Sequence, residues 1–123
     1  MSMMSQVAAF CREVYKTKLL WTIEFEDESL LQWFEEDGSQ VLPFWSSESR
    51  VTKVIELLKD FDSGVPTSIE LDEFEAEWVL DLVASNIRIG PNWTGENLSG
   101  TTFEANEMIR RIYRQGKQTS KNT

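Results

Sequence analysis

Leu20-Trp21-Thr22-Ile23-Glu24-Phe25-Glu26, Leu30-Leu31-Gln32-Trp33-Phe34 and Gln40-Val41-Leu42-Pro43-Phe44-Trp45 decide the fold. In the first run Trp21, Ile23 and Phe25 alternate with Thr22, Glu24 and Glu26, the period of a strand with one buried face. Asp27-Glu28-Ser29 reads as a turn, and Leu30 to Phe34 is a second, aromatic-rich strand. Asp37-Gly38 is a hairpin signal, and Gln40 to Trp45 returns as a third strand. Pro43 cannot donate to a ladder, so this strand is expected at an edge or bulged. Three adjacent strands predict an antiparallel meander.

Helical periodicity flanks the meander. Met3, Val7, Phe10, Cys11 and Val14 recur at spacings of three and four, predicting a helix over about 2–18. Ser46-Ser47-Glu48 reads as a helix start, with Val51, Val54, Ile55 and Leu58 as the stripe of a helix reaching about Asp60. Asp62 to Pro66 is a loop and Thr67 to Leu71 a short strand. Asp72 and Glu75 have the spacing of a capping box for a helix ending near Asn86. Ile87 to Ile89 is another short strand, and Gly90 to Gly100 a loop. Thr101 and Glu104 repeat the box spacing before a helix carrying Ala105, Met108, Ile109 and Ile112. From about Gln115 the chain is polar and basic and reads as a disordered tail. The expected class is α+β: one domain over 1–114, an antiparallel meander of three or more strands packed with about four helices, and a tail at 115–123.

Composition narrows the chemistry. Among the 123 residues there is no histidine and one cysteine. Triads that need histidine, histidine-ligated zinc, cysteine clusters and intramolecular disulfides are therefore excluded. No apolar run approaches the roughly 20 residues of a membrane span, and Met1 to Phe10 has no secretory pattern, so a cytoplasmic location without membrane attachment is expected. Asn92-Trp93-Thr94 and Asn97-Leu98-Ser99 match the glycosylation triplet, and without a secretory signal both read as coincidence.

The net charge of −9 is an average of unlike parts. Residues 19–81 hold 17 acidic and 3 basic side chains, a balance of −14, while Arg110, Arg111, Arg114, Lys117 and Lys121 give +5 beyond Glu107. An acidic body disfavours nucleic acid and suits a basic protein partner. The basic end could instead meet the acidic body of another copy, which leaves a homodimer open.

No catalytic residue, metal site or cofactor emerges from the motifs. Asp60-Phe61-Asp62-Ser63-Gly64 begins like a calcium loop, but its glycine is one place early and Leu71 stands where a bidentate glutamate is needed. Cys11 lies among apolar helix positions with no histidine to activate it, which reads as an inert buried thiol. Of five tryptophans, Trp21 and Trp78 read as core. Trp33, Trp45 and Trp93, with Glu35, Glu36 and Asp37, are the candidate interface or pocket.

Three segments carry a resemblance: Leu42-Pro43-Phe44-Trp45-Ser46-Ser47-Glu48, then Ile69-Glu70-Leu71-Asp72-Glu73-Phe74-Glu75-Ala76-Glu77-Trp78, then Ile87-Arg88-Ile89-Gly90-Pro91-Asn92-Trp93. This pattern resembles a bacterial family catalogued as domain of unknown function 2750 (DUF2750), over about residues 10–114. Its motifs are aromatics and a proline, with no catalytic signature, and the resemblance hands no residue a catalytic role. In size and charge the chain is also similar in style to bacterial immunity proteins. The expected function is a non-enzymatic acidic protein-binding module, with an immunity-like role, neutralising a basic partner, as its specific form. The alternatives are a small-ligand protein or carboxylate enzyme with a Trp-lined pocket, and a structural homodimer.

Overall fold

Strand β1 (Leu19–Glu24) is a wall between two apolar cores. Leu20 faces a core built with Val7, Phe10 and Val14 of helix α1 (Met3–Thr17). Trp21 and Ile23, on the opposite side of the pleat, face a second core with Trp45, Val51, Val54 and Trp93. The alternation read from the sequence is present, but the face expected to meet water is also covered, and Thr22 is buried with its hydroxyl on the Pro43 carbonyl at 3.3 Å. The computed structural model describes residues 3–94, 98 and 100–121. Gly95, Asn97 and Ser99 of the expected loop lie outside them.

Strand β2 (Trp33–Phe34) and β3 (Gln40–Phe44) form the expected hairpin. After α2 (Glu48–Leu57) and a 3₁₀ turn at Lys59–Phe61 comes β4 (Val65–Glu70). A continuous helical stretch follows: α3 (Leu71–Glu73), a π-helical turn (Phe74–Trp78) and α4 (Val79–Ala84). Strands β5 (Arg88–Pro91) and β6 (Phe103–Glu104) lead into α5 (Ala105–Lys121). The α+β class holds.

Pairing departs from a plain meander. Strand β1 pairs antiparallel with β4, from Leu19 opposite Glu70 to Glu24 opposite Val65. A second sheet has the order β2-β3-β5-β6, in which β3 and β5 run parallel. A parallel pair needs a long crossover, supplied here by α2, β4 and the 71–84 helix. The two sheets meet where Trp21 and Trp45 exchange backbone hydrogen bonds of 2.8 and 2.7 Å.

Pro43 is therefore in a central strand, contrary to the edge expected for it. The Phe44 carbonyl accepts from the Asn92 N–H on the β5 side, so Pro43 turns its backbone to the other side. There β2 has already ended, opposite Val41, and no ladder donor is required of the proline.

Three further local readings are corrected. The Asp72–Glu75 box does not form. Buried Leu71 opens that helix, its N–H bonded to the Lys18 carbonyl, and Glu70 is the N-cap residue without a side-chain bond. The Thr101–Glu104 box gives way to β6, whose Glu104 pairs with Arg88. Helix α5 continues past Gln115 to Lys121, where a disordered tail was expected, and buried Gly116 presses on the Tyr15 ring of α1. Ser47 is the N-cap of α2 as expected, accepting from the Arg50 N–H at 3.3 Å.

Candidate functional site

The sheet brings the three candidate tryptophans together, mostly inside the second core. Trp45 and Trp93 are buried. The Trp45 Nε1–H donates to the Trp93 carbonyl at 2.8 Å, and the Trp93 Nε1–H donates to the Thr101 carbonyl at 2.9 Å. Buried indoles find partners for their N–H groups, and both do so within the chain. Trp33 is half-buried and meets the Trp93 ring edge-on, with centroids 6.4 Å apart. Of the three, Trp33 alone keeps part of its surface toward solvent.

The three acids of the set lie on the β2–β3 hairpin. Its turn is closed by Glu35 N–H to the Ser39 carbonyl and Gly38 N–H to the Glu35 carbonyl, both at 2.9 Å. The Asp37 carboxylate accepts from the Ser39 N–H at 2.9 Å and the Ser39 hydroxyl at 2.6 Å, and these bonds hold its pKa below the usual carboxylate value. Asp37 is thus a turn-forming residue. Glu35 is half-exposed and Glu36 exposed, while Phe34 beside them is 62% exposed. The β1–β2 connection repeats the device: Phe25 and Glu28 bond Ser29 and Phe25 in the same pattern, and Asp27 caps Ser29. Two acidic turns of one design therefore follow one another along the chain.

Sequence reasoning missed a polar cluster beside the tryptophans. Ser46, fully buried, donates its hydroxyl to Glu13 Oε1 at 2.6 Å and accepts from Asn92 Nδ2 at 3.1 Å. Asn92 Oδ1 accepts from the Ser46 N–H at 3.0 Å. Glu13 takes a two-pronged bond from Arg50, at 3.0 Å from Nε and 2.7 Å from Nη2. Those bonds lower the Glu13 pKa, the Arg50 contribution being the largest, against the opposing effect of burial. The only local signal was Asn92, placed after Gly90-Pro91 and held at φ 53°, a conformation asparagine tolerates. The cluster ties α1, α2 and the end of β5 together, and buried Ser46 offers no exposed nucleophile.

Among the described residues, no group of acids or cysteine is placed to hold a metal ion, and no helix is long and apolar enough to cross a membrane.

The resembling segments now have places. Leu42–Trp45 ends the central strand, Leu71–Trp78 is the π-interrupted helix, and Ile87–Trp93 carries the parallel strand into the buried tryptophan. Residues 7–112 match the family described as "Protein of unknown function (DUF2750)". The chain belongs to the DUF2750 family. No curated protein matches it. The DUF2750 aromatics of this chain, Trp45, Phe74, Trp78 and Trp93, all belong to the two cores, where they set the packing of the sheet.

Proposed function

We propose that this DUF2750 protein is a non-enzymatic binding module whose acidic hairpin face receives a basic protein partner, in the manner of an immunity protein. The observation that carries the reading is the exposed Phe34 flanked by Glu35, Glu36 and Asp37, next along the chain from the acidic turn Glu26-Asp27-Glu28. An exposed aromatic followed along the chain by three acidic residues suits a partner that offers an apolar contact and cationic groups. The described ion pairs, Glu13–Arg50 and Glu107–Arg111, use none of these acids. Their charge is therefore available to steer a basic partner, with an association rate that falls as salt rises.

The test is a pull-down from the native host at low and moderate salt, with the wild type beside a Phe34→Ser, Glu35→Lys, Glu36→Lys variant. A basic protein retained by the wild type and lost from the variant is the expected result. Its association rate with the purified wild type should fall with ionic strength. Retention of nothing at either salt, or equal retention by the variant, overturns the reading.

A further inference from the structure

The geometry points to a binding site for a small quaternary ammonium compound at the corner of the Tyr15 and Tyr113 rings, where Lys18 is the chain's own displaceable occupant. Tyr15 of α1 and Tyr113 of α5 meet edge to face, with centroids 5.9 Å apart and planes at 88°. The Lys18 Nζ lies 3.6 Å from the Tyr15 centroid and 5.9 Å from that of Tyr113. Both distances fall within the reach of cation–π attraction, about 6 Å. An alkylammonium therefore already sits against both rings. The backbone that presents it is fixed: Lys18 has φ 63°, its N–H bonds the Val14 carbonyl at 2.7 Å, and its carbonyl accepts from the Leu71 N–H at 2.8 Å.

The surroundings of the corner are anionic. The Tyr113 hydroxyl donates to Glu75 at 3.3 Å. Burial raises the Tyr113 pKa, and the Glu75 and Asp72 charges raise it further, so both carboxylates act on this ring. The described ion pairs, Glu13–Arg50 and Glu107–Arg111, take neither acid and leave Lys18 out as well. Beside the corner, Lys18 and Asp72 join Thr17, Leu19, Glu70 and Leu71 in lining a cleft of about 270 Å³. Sites for drug-sized ligands run from roughly 300 to 1,000 Å³, so this ligand is small.

Lys18 is a weak occupant. It is exposed, and a cation–ring contact open to water favours the bound position by only about two- to fivefold. Its primary ammonium is also strongly hydrated and leaves water reluctantly. A trimethylammonium group has no N–H to hydrate, so it loses less on reaching the rings. Asp72 and Glu75 balance its charge, and the rest of a short molecule lies along the cleft. An anion would meet Glu70, Asp72 and Glu75 together and is disfavoured. The site uses none of the hairpin residues and stands apart from the proposed function.

Choline is the probe, and dimethylbutanol, its uncharged carbon isostere, is the control. Tyr15 and Tyr113 are the two tyrosines of the chain, so NMR of protein carrying ring-labelled tyrosine reports on this corner alone. Choline at millimolar concentration should shift both signals in the wild type in a saturable way, and dimethylbutanol should not. Lys18→Ala vacates the corner and should bind choline about two- to fivefold more tightly. Tyr113→Leu should weaken the response at Tyr15, whereas Tyr113→Phe should keep it, because the ring and not the hydroxyl holds the cation. Asp72→Asn with Glu75→Gln, at two exposed positions, should weaken binding while the circular dichroism spectrum stays unchanged. A wild type without a saturable shift, an equal shift from dimethylbutanol, a Lys18→Ala variant that binds no more tightly, or an acid-neutralised variant that binds equally well overturns the proposal.

Discussion

The indole of Trp45 is bonded to the backbone of Trp93, 48 residues further along the chain, at 2.8 Å. This bond fixes where the loop after β5 crosses the end of β3, and two glycines complete the seat. A Cβ on Gly90 would lie 2.5 Å from Trp93 Cε2, and one on Gly100 would lie 2.5 Å from Trp93 Cδ1. Gly90→Ala and Gly100→Ala should each lower stability by about 1–3 kcal/mol, because a buried ring held by its own N–H bond has little room to move. Urea unfolding followed by tryptophan fluorescence checks this, and an unchanged midpoint in both variants would contradict the packing described.

Local patterns reached the helices and the β2–β3 hairpin because each is encoded over a few neighbouring residues. The apolar stripe of α1 and the Ser47 cap of α2 are of this kind. They could not reach the parallel register of β3 with β5, which joins segments separated by a crossover and leaves no periodic mark. Pro43 shows the cost: its edge preference is a statement about hydrogen-bond directions, and a central strand satisfies it where the neighbouring strand stops short. What local sequence made legible was the hairpin turn that keeps Glu35, Glu36 and Asp37 near water. Local sequence does not separate Trp45 and Trp93 from Trp33, because burial depends on the second core that β1 and α2 enclose.

Glu13 couples stability to acid. Its folded pKa lies below the ordinary value through the Arg50 and Ser46 bonds. The unfolded chain therefore binds this proton more readily, and the stabilisation from Glu13 is complete above the unfolded pKa. It fades as pH falls through the folded one. Glu13→Gln should lose stability at neutral pH, with the gap to wild type closing toward the acid end. Thermal melts across that range measure the gap, and a difference independent of pH would mean that the Arg50 contact is not what shifts Glu13.

The two acidic turns differ at one conformationally equivalent position. Glu28 has φ 68° and Gly38 has φ 89°. A side chain in this region is strained, whereas glycine adopts it freely. Nothing lies within 4 Å of a Cβ built on Gly38, so Gly38→Ala isolates the backbone effect and should cost about 1 kcal/mol. Glu28→Gly should change stability in the opposite direction or leave it level, since relief of strain is offset by the freer unfolded chain. Denaturant midpoints for the two variants must therefore move apart. A shift of both in the same direction by similar amounts would argue against the shared turn geometry.

Cys11 offers a reading of how the α1–α5 seam opens. Burial pushes its thiol up to about 11, with the Arg111 charge acting in the other direction. At neutral pH the thiolate is then ~0.01% of the folded population, against a few per cent for a free thiol with a pKa of about 8.5. Yet Cys11 also borders a shallow cleft with Val7, Ala8, Arg111, Arg114 and Gln115, so a small reagent has a short path to it. Iodoacetamide should modify the native protein at least a hundredfold more slowly than the urea-unfolded chain, in keeping with the lost thiolate. Arg111→Met separates the two routes. If reagent enters through the cleft of the folded protein, removing the guanidinium lowers the thiolate fraction and slows the reaction. If reaction waits for unfolding, the rate follows the variant's stability and rises when stability falls. The cleft geometry predicts the slower reaction, and a faster one in the variant would place Cys11 behind a seam that opens only with the fold.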